Sequence, residues 1–102
     1  MRIFVDESDR AGGRPLYEAI IDALRAHDFP GATVLKGIEG FGPRRQIRSA
    51  RTVDYSDNLP VLVEVAEDEA KIAEALPSLR RLIAGGLITL EKIDMHEVKR
   101  EQ

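Results

Sequence analysis

The residues best suited to chemistry in this sequence form one run, Gly37-Ile38-Glu39-Gly40-Phe41-Gly42-Pro43-Arg44-Arg45-Gln46. Glycine lets a backbone come close to a ligand and aim its N–H groups at an anion. Arginine adds a planar fork of donors that matches phosphate. Placed at the end of a strand, such a run is a phosphate cradle. The same residue types also suit a plain glycine turn followed by a solvated basic loop, and the residues alone leave both readings open. Gly85-Gly86 is a second glycine pair; it suits a helix terminus and gains a binding role only if it faces the first run across a subunit boundary. Other candidates are weaker. Asp6-Glu7-Ser8-Asp9 offers oxygens but lacks the spacing of a calcium loop, so a solvated loop is expected. His27 and His96 belong to no metal motif and read as a helix-end and a strand-surface histidine. No serine pairs with a base, and no cysteine exists to bind a metal or form a disulfide. No catalytic residue and no metal ligand is therefore assigned.

The elements that must position the first run follow from periodicity. Arg2 to Val5 is a short apolar strand, and Asp6 to Gly13 reads as a loop. Pro15 suits the first position of a helix, whose stripe is Leu16, Ile20 and Leu24 and whose end is Phe29-Pro30-Gly31. Ala32 to Glu39 is a second strand, broken by Gly40 to Gly42. Leu59, Val61, Val63 and Val65 alternate with less apolar neighbours and mark a half-buried third strand, with Pro60 near its start. Glu67 or Asp68 opens a second helix through Ile72, Leu76, Leu79 and Ile83, stopped by Gly85-Gly86. Pro77 lies inside that pattern and is expected to kink or split it. Ile88 and Leu90 are on even positions while Ile93 and Met95 are on odd ones. A bulge near Glu91-Lys92 or a second short strand explains the switch.

The order is β-α-β-β-α-β over a single domain spanning residues 1–102. This is an α+β, ferredoxin-like arrangement: a four-stranded antiparallel sheet with two helices on one face. The other face must be solvated, bind something or meet a partner; Leu35 and Leu62 supply apolar surface there, and subunit packing is the favoured reading. A chain of this size is marginal alone, and association is one remedy. Net charge is −3, which gives no general pull toward nucleic acid. No apolar run approaches a signal sequence or a membrane span, so a cytoplasmic protein without direct membrane insertion is expected.

With Gly40-Phe41-Gly42 at the end of its second strand, the chain resembles over nearly its whole length the nitrogen-regulatory PII proteins, and more closely the PII-like group known as domain-of-unknown-function family 190. The matching pieces are Glu7-Ser8-Asp9, Pro15-Leu16-Tyr17, Gly31-Ala32-Thr33-Val34, Gly37 to Gly42, Leu59-Pro60-Val61 and Gly86-Leu87-Ile88-Thr89-Leu90-Glu91. The resemblance implies a homotrimer with sheets turned inward and small effectors, commonly adenine nucleotides, in clefts between subunits. It places Gly40, Gly42, Arg44, Arg45 and Gln46 with Gly85 and Gly86 around the ligand. Arg48 and Arg51 are placed further along a loop, 43–58, that meets a target protein, a membrane transporter or an enzyme. No tightly held cofactor is implied beyond that effector. The chain departs from PII proteins at Leu87, where the lysine after their glycine turn is missing.

Two other functions use the same topology. An acylphosphatase-like enzyme acting on acyl phosphates or phosphate esters would hold its anion between the first strand and the first helix, where only Arg10 and Arg14 are available. An RNA-recognition domain would stack bases on strand aromatics, and the third strand has none. The expected protein is a regulator rather than an enzyme. Tyr55, a modification candidate by position, is read as a packing residue.

Overall fold

Ile3 and Val5 alternate with Arg2, Phe4 and Asp6, and this period of two decides which face of the first strand is buried. In the computed structural model, which describes residues 1–42, 48–49 and 58–100, that strand is β1 (Arg2–Asp6). It is followed by β2 (Arg10–Ala11), β3 (Arg14–Pro15), α1 (Leu16–Ala26), β4 (Thr33–Lys36), β5 (Glu39–Gly40) and β6 (Arg48–Ser49). The chain then forms β7 (Pro60–Glu64), α2 (Glu69–Leu82) and β8 (Leu87–Thr89). The main sheet has the order β4-β7-β1-β8, antiparallel throughout. Together with α1 and α2 it is the expected α+β, ferredoxin-like arrangement.

Both helices cover one face. Ile3, Val5, Val61 and Val63 from the strands pack with Leu16, Ile20 and Leu24 of α1 and with Ala75 and Leu79 of α2. Met1, Phe29 and Val65 complete this core. The helices also touch each other: Lys71 donates to the Asp28 carbonyl at 2.9 Å, and His27 Nε2 lies 3.2 Å from Ser78 Oγ.

Several elements differ from the periodicity reading. The stretch Asp6 to Gly13 is not all loop. Gly12 and Gly13, at φ +59 and +81, make a two-residue turn between β2 and β3, the left-handed pair such a hairpin demands. Pro15 closes this hairpin and caps α1 from outside, one position before the helix. β4 stops at Lys36 rather than Glu39: Gly37 still donates its N–H in register to the Pro60 carbonyl at 2.7 Å, but proline has no N–H to return, and the ladder ends there. Pro77 does not split α2, which runs unbroken over 14 residues. Ala75 and Leu79, fully buried on either side of the proline, hold the helix to the core, while Ala73, whose carbonyl loses its partner, is exposed. Past Thr89 there is neither a bulge nor a second strand among the described residues. The parity switch between Leu90 and Ile93 lies outside any ladder, and His96 lies on an exposed segment rather than a strand surface.

Ile20 sits between helix and sheet with no exposure. Ile20→Ala is predicted to cost about 2–5 kcal/mol of unfolding free energy, read as a fall in the urea midpoint at unchanged slope. A loss below about 1 kcal/mol would mean that this face is not the core.

Candidate functional site

The register of the ladders fixes where the two glycine segments lie. Lys36 of β4 pairs with Val61, Pro60 with Asp6, and Phe4 with Leu87. The end of β4, the start of β7, the end of β1 and the start of β8 therefore share one end of the sheet. The run from Gly37 to Gly42 leaves that end at the β4 edge. Gly85-Gly86 enters it at the β8 edge. Three strand spacings separate the edges, roughly 14 Å. Within one chain the two segments share an end of the sheet but are not brought together.

The glycines are not equivalent. A Cβ on Gly37 would stand 2.7 Å from Pro60 Cγ, and one on Gly40 would stand 3.3 Å from the same atom. The Pro60 ring thus occupies the space beside both, and close packing alone demands glycine at position 37. A Cβ on Gly86 would meet the Phe4 carbonyl oxygen at 2.8 Å and side chains of Ile83 and Val5 at 3.2 Å. Gly86 therefore serves the approach of β8 to β1. Gly85 has nothing within 4 Å of its would-be Cβ and ordinary φ, so nothing among the described residues requires glycine there. Gly40 also pairs with Arg48 across β5 and β6. Gly42 is half-buried and in no regular element. Arg44, Arg45, Gln46, Arg51 and Tyr55 lie outside the described residues.

Beside Gly85 and Gly86 is a shallow cavity of about 290 Å³, lined also by Arg80, Ile83, Ala84 and Ile88. Arg80 is exposed in the last turn of α2 and makes no ion pair or hydrogen bond among the described residues. Its place at a helix C-terminus suits a cation by itself, and it also gives the cavity one cationic wall. Sequence reading missed this residue, because the helical periodicity that finds core positions ignores an exposed arginine.

The acidic loop after β1 is tied down rather than free. The Glu7 N–H donates to the Leu59 carbonyl at 2.9 Å, and the Glu7 carboxylate pairs with Lys36. Ser8 Oγ donates to Asn58 at 2.6 Å, and the Asp6 N–H donates to Asp9 at 2.9 Å. The loop thereby links β1 to the ends of β4 and β7 at the glycine-bearing end. No group of three His, Asp or Glu side chains suited to a metal occurs among the described residues. Arg14 is paired with Asp22 at 2.7 Å. His27, capping the end of α1, lies 3.7 Å from Glu74.

On the face away from the helices, two rows cross all four strands. Thr33, Glu64, Arg2 and Thr89 form one, and Leu35, Leu62, Phe4 and Leu87 form the other. In the polar row Arg2 Nε is 2.7 Å from Glu64. That hydrogen bond, then the charges of Glu64 and Glu91, hold the exposed guanidinium above its ordinary pKa. In the apolar row Phe4, Leu35 and Leu87 are 40%, 51% and 57% exposed. Leu35 and Leu62 were expected on this face; Phe4 and Leu87 join them only through strand register. No helix among the described residues is long and apolar enough to cross a membrane.

Residues 1–95 match the sequence profile of the DUF190 family, described as "Uncharacterized ACR". A UPF0166 protein of Aquifex aeolicus is 33% identical over 95 residues, covering 93% of this chain and 90% of its own. A UPF0166 protein of Methanocaldococcus jannaschii is 35% identical over 102 residues, covering 99% and 92%. A second Aquifex aeolicus UPF0166 protein is 36% identical over 80 residues, covering 78% and 83%.

The glycine geometry makes an unequal pair of substitutions informative. Gly86→Ala is predicted to destabilise by about 1–3 kcal/mol through overpacking against the Phe4 carbonyl, whereas Gly85→Ala should stay within about 0.5 kcal/mol. Thermal or urea unfolding reads both. Equal effects would refute the assignment of Gly86 to packing and Gly85 to an open site.

Proposed function

This chain belongs to the DUF190 family, and we propose that it is a PII-like cytoplasmic regulator that binds rather than catalyses. In this reading it is a homotrimer that takes a small anionic effector, an adenine nucleotide, between neighbouring copies. Arg44, Arg45 and Gln46 meet the effector's phosphates beside Gly40 and Gly42, and Gly85, Gly86 and the cationic wall at Arg80 close the cleft from the next copy. A polyphosphate would offset the repulsion among Arg44, Arg45, Arg48 and Arg51. Effector binding would thereby alter the charge that this basic run offers to a target protein.

The observation that carries this reading is the placement of the two glycine segments: one end of the sheet, opposite edges. A second copy set beside the first, β4 edge to β8 edge, brings them together, and a closed ring of such contacts needs no other partner. The exposed row Leu35, Leu62, Phe4 and Leu87 supplies apolar surface for the assembly. Full burial of such a side chain is worth about 1.5–3 kcal/mol, and roughly half of that is still to be gained by the exposed members of the row.

Calorimetry of the full chain against ATP, ADP and AMP tests the effector. At least one is predicted to bind, and Arg44→Ala/Arg45→Ala should weaken it about 10- to 100-fold, the loss of a charge-assisted hydrogen bond worth about 1.5–3 kcal/mol. Binding that is indifferent to both arginines, or no heat with any adenine nucleotide from an assembled protein, would count against the reading.

A further inference from the structure

The sheet ends on one side at β4, and nothing among the described residues guards that edge. β4 has four residues, all exposed, with Val34 and Leu35 among them and no proline or bulge. Its one charged side chain, Lys36, is paired with Glu7. Such an edge is a template for another strand, and proteins that leave one open use it or suffer from it. On the opposite side the chain leaves β8 as a segment with no place in its own fold. Every residue from 90 to 100 is exposed. Among the described residues, none of the backbone hydrogen bonds outside the ladders involves this segment. Yet Leu90, Ile93, Met95 and Val98 are all large and apolar, half or more exposed. Ile93 and Met95 alternate with Lys92, Asp94 and His96, the pattern of a half-buried strand.

We propose that residues 90–98 of one copy lie along the free edge of β4 in a second copy and extend its sheet by a strand. The inference rests on the assembled state proposed above and names the contact that holds it. A second copy is the fitting occupant for three reasons. Each chain carries one donor segment and one acceptor edge, at opposite sides of its sheet, so the pairing repeats head to tail and uses up both. The apolar row that ends in Leu35 at the acceptor edge begins with Leu87 at the donor side, so pairing joins the rows of neighbouring copies into one surface. Charge agrees as well. Segment 90–98 holds Glu91, Asp94 and Glu97 against Lys92 alone, while the one charged residue of β4 is the cation Lys36. Main-chain hydrogen bonds would supply the adhesion, and Ile93 and Met95 the register.

The native chain lacks cysteine, which gives a direct test. Leu35→Cys is combined in turn with Ile93→Cys, Asp94→Cys, Met95→Cys and His96→Cys, so that the four registers about the middle of the segment are each sampled. Oxidation should yield covalent multimers from at least one pair. Separately, Ile93→Asp/Met95→Asp in the full chain should raise the dissociation constant of the assembly at least about tenfold, since two apolar side chains are lost from it. The helical part of its circular dichroism should match the parent, because neither residue touches the core that holds α1 and α2. Assembly unchanged in the aspartate variant, or disulfides confined within single chains, would overturn the strand exchange while leaving the assembled regulator standing. A parent chain that is monomeric at every concentration would overturn both.

Discussion

The structure depends on one constraint: side chains of a strand point alternately to two faces, and this sheet has helices on only one of them. Ile3, Val5, Val61 and Val63 go under α1 and α2 and make the core. Phe4 and Leu62, one residue away in each strand, must then face outward. Register aligns them with Leu35 and Leu87, so the single-sided cover produces a continuous apolar row across the whole sheet. Scattered exposed leucines mean little, but an ordered row on a small domain asks for a partner. The polar row beside it, with the Arg2–Glu64 pair, bounds that surface.

The same register governs the proposed site. Antiparallel order puts the end of β4 and the start of β8 at one end of the sheet but at its two edges. Glycines at both places invite a ligand reading, and part of that reading dissolves on inspection. Gly37 is small for Pro60, and Gly86 is small for the Phe4 carbonyl. What remains is narrower and better defined: Gly85 with open space around it, the cavity with Arg80 on its wall, and the basic run after Gly42. In the proposed reading these are halves of a site, and the topology separates them within each chain.

Much of this was legible from residue order. The alternation of Leu59 to Val65 announces β7, and the stripe Leu16, Ile20, Leu24 announces α1, because both patterns are local and match one period. The βαββαβ order follows from them. What was not legible depends on distant contacts. The early end of β4 needs Pro60, 23 positions on from Gly37. The unbroken α2 needs the packing of Ala75 and Leu79 to outweigh a proline. Phe4 and Leu87 join the outer row only when strand register is known. The β2–β3 hairpin was signalled by Gly12-Gly13 and missed because its strands are two residues long, too short for any period to show.

The claim on which this account turns is that neighbouring copies complete what each chain leaves open. Sedimentation equilibrium of the untagged chain measures it without assumptions about ligand or target. The account predicts a particle three times the 11.4 kDa chain mass, held down to low concentration. A particle of single-chain mass throughout would leave the apolar row bare and the two glycine segments apart, and would contradict it.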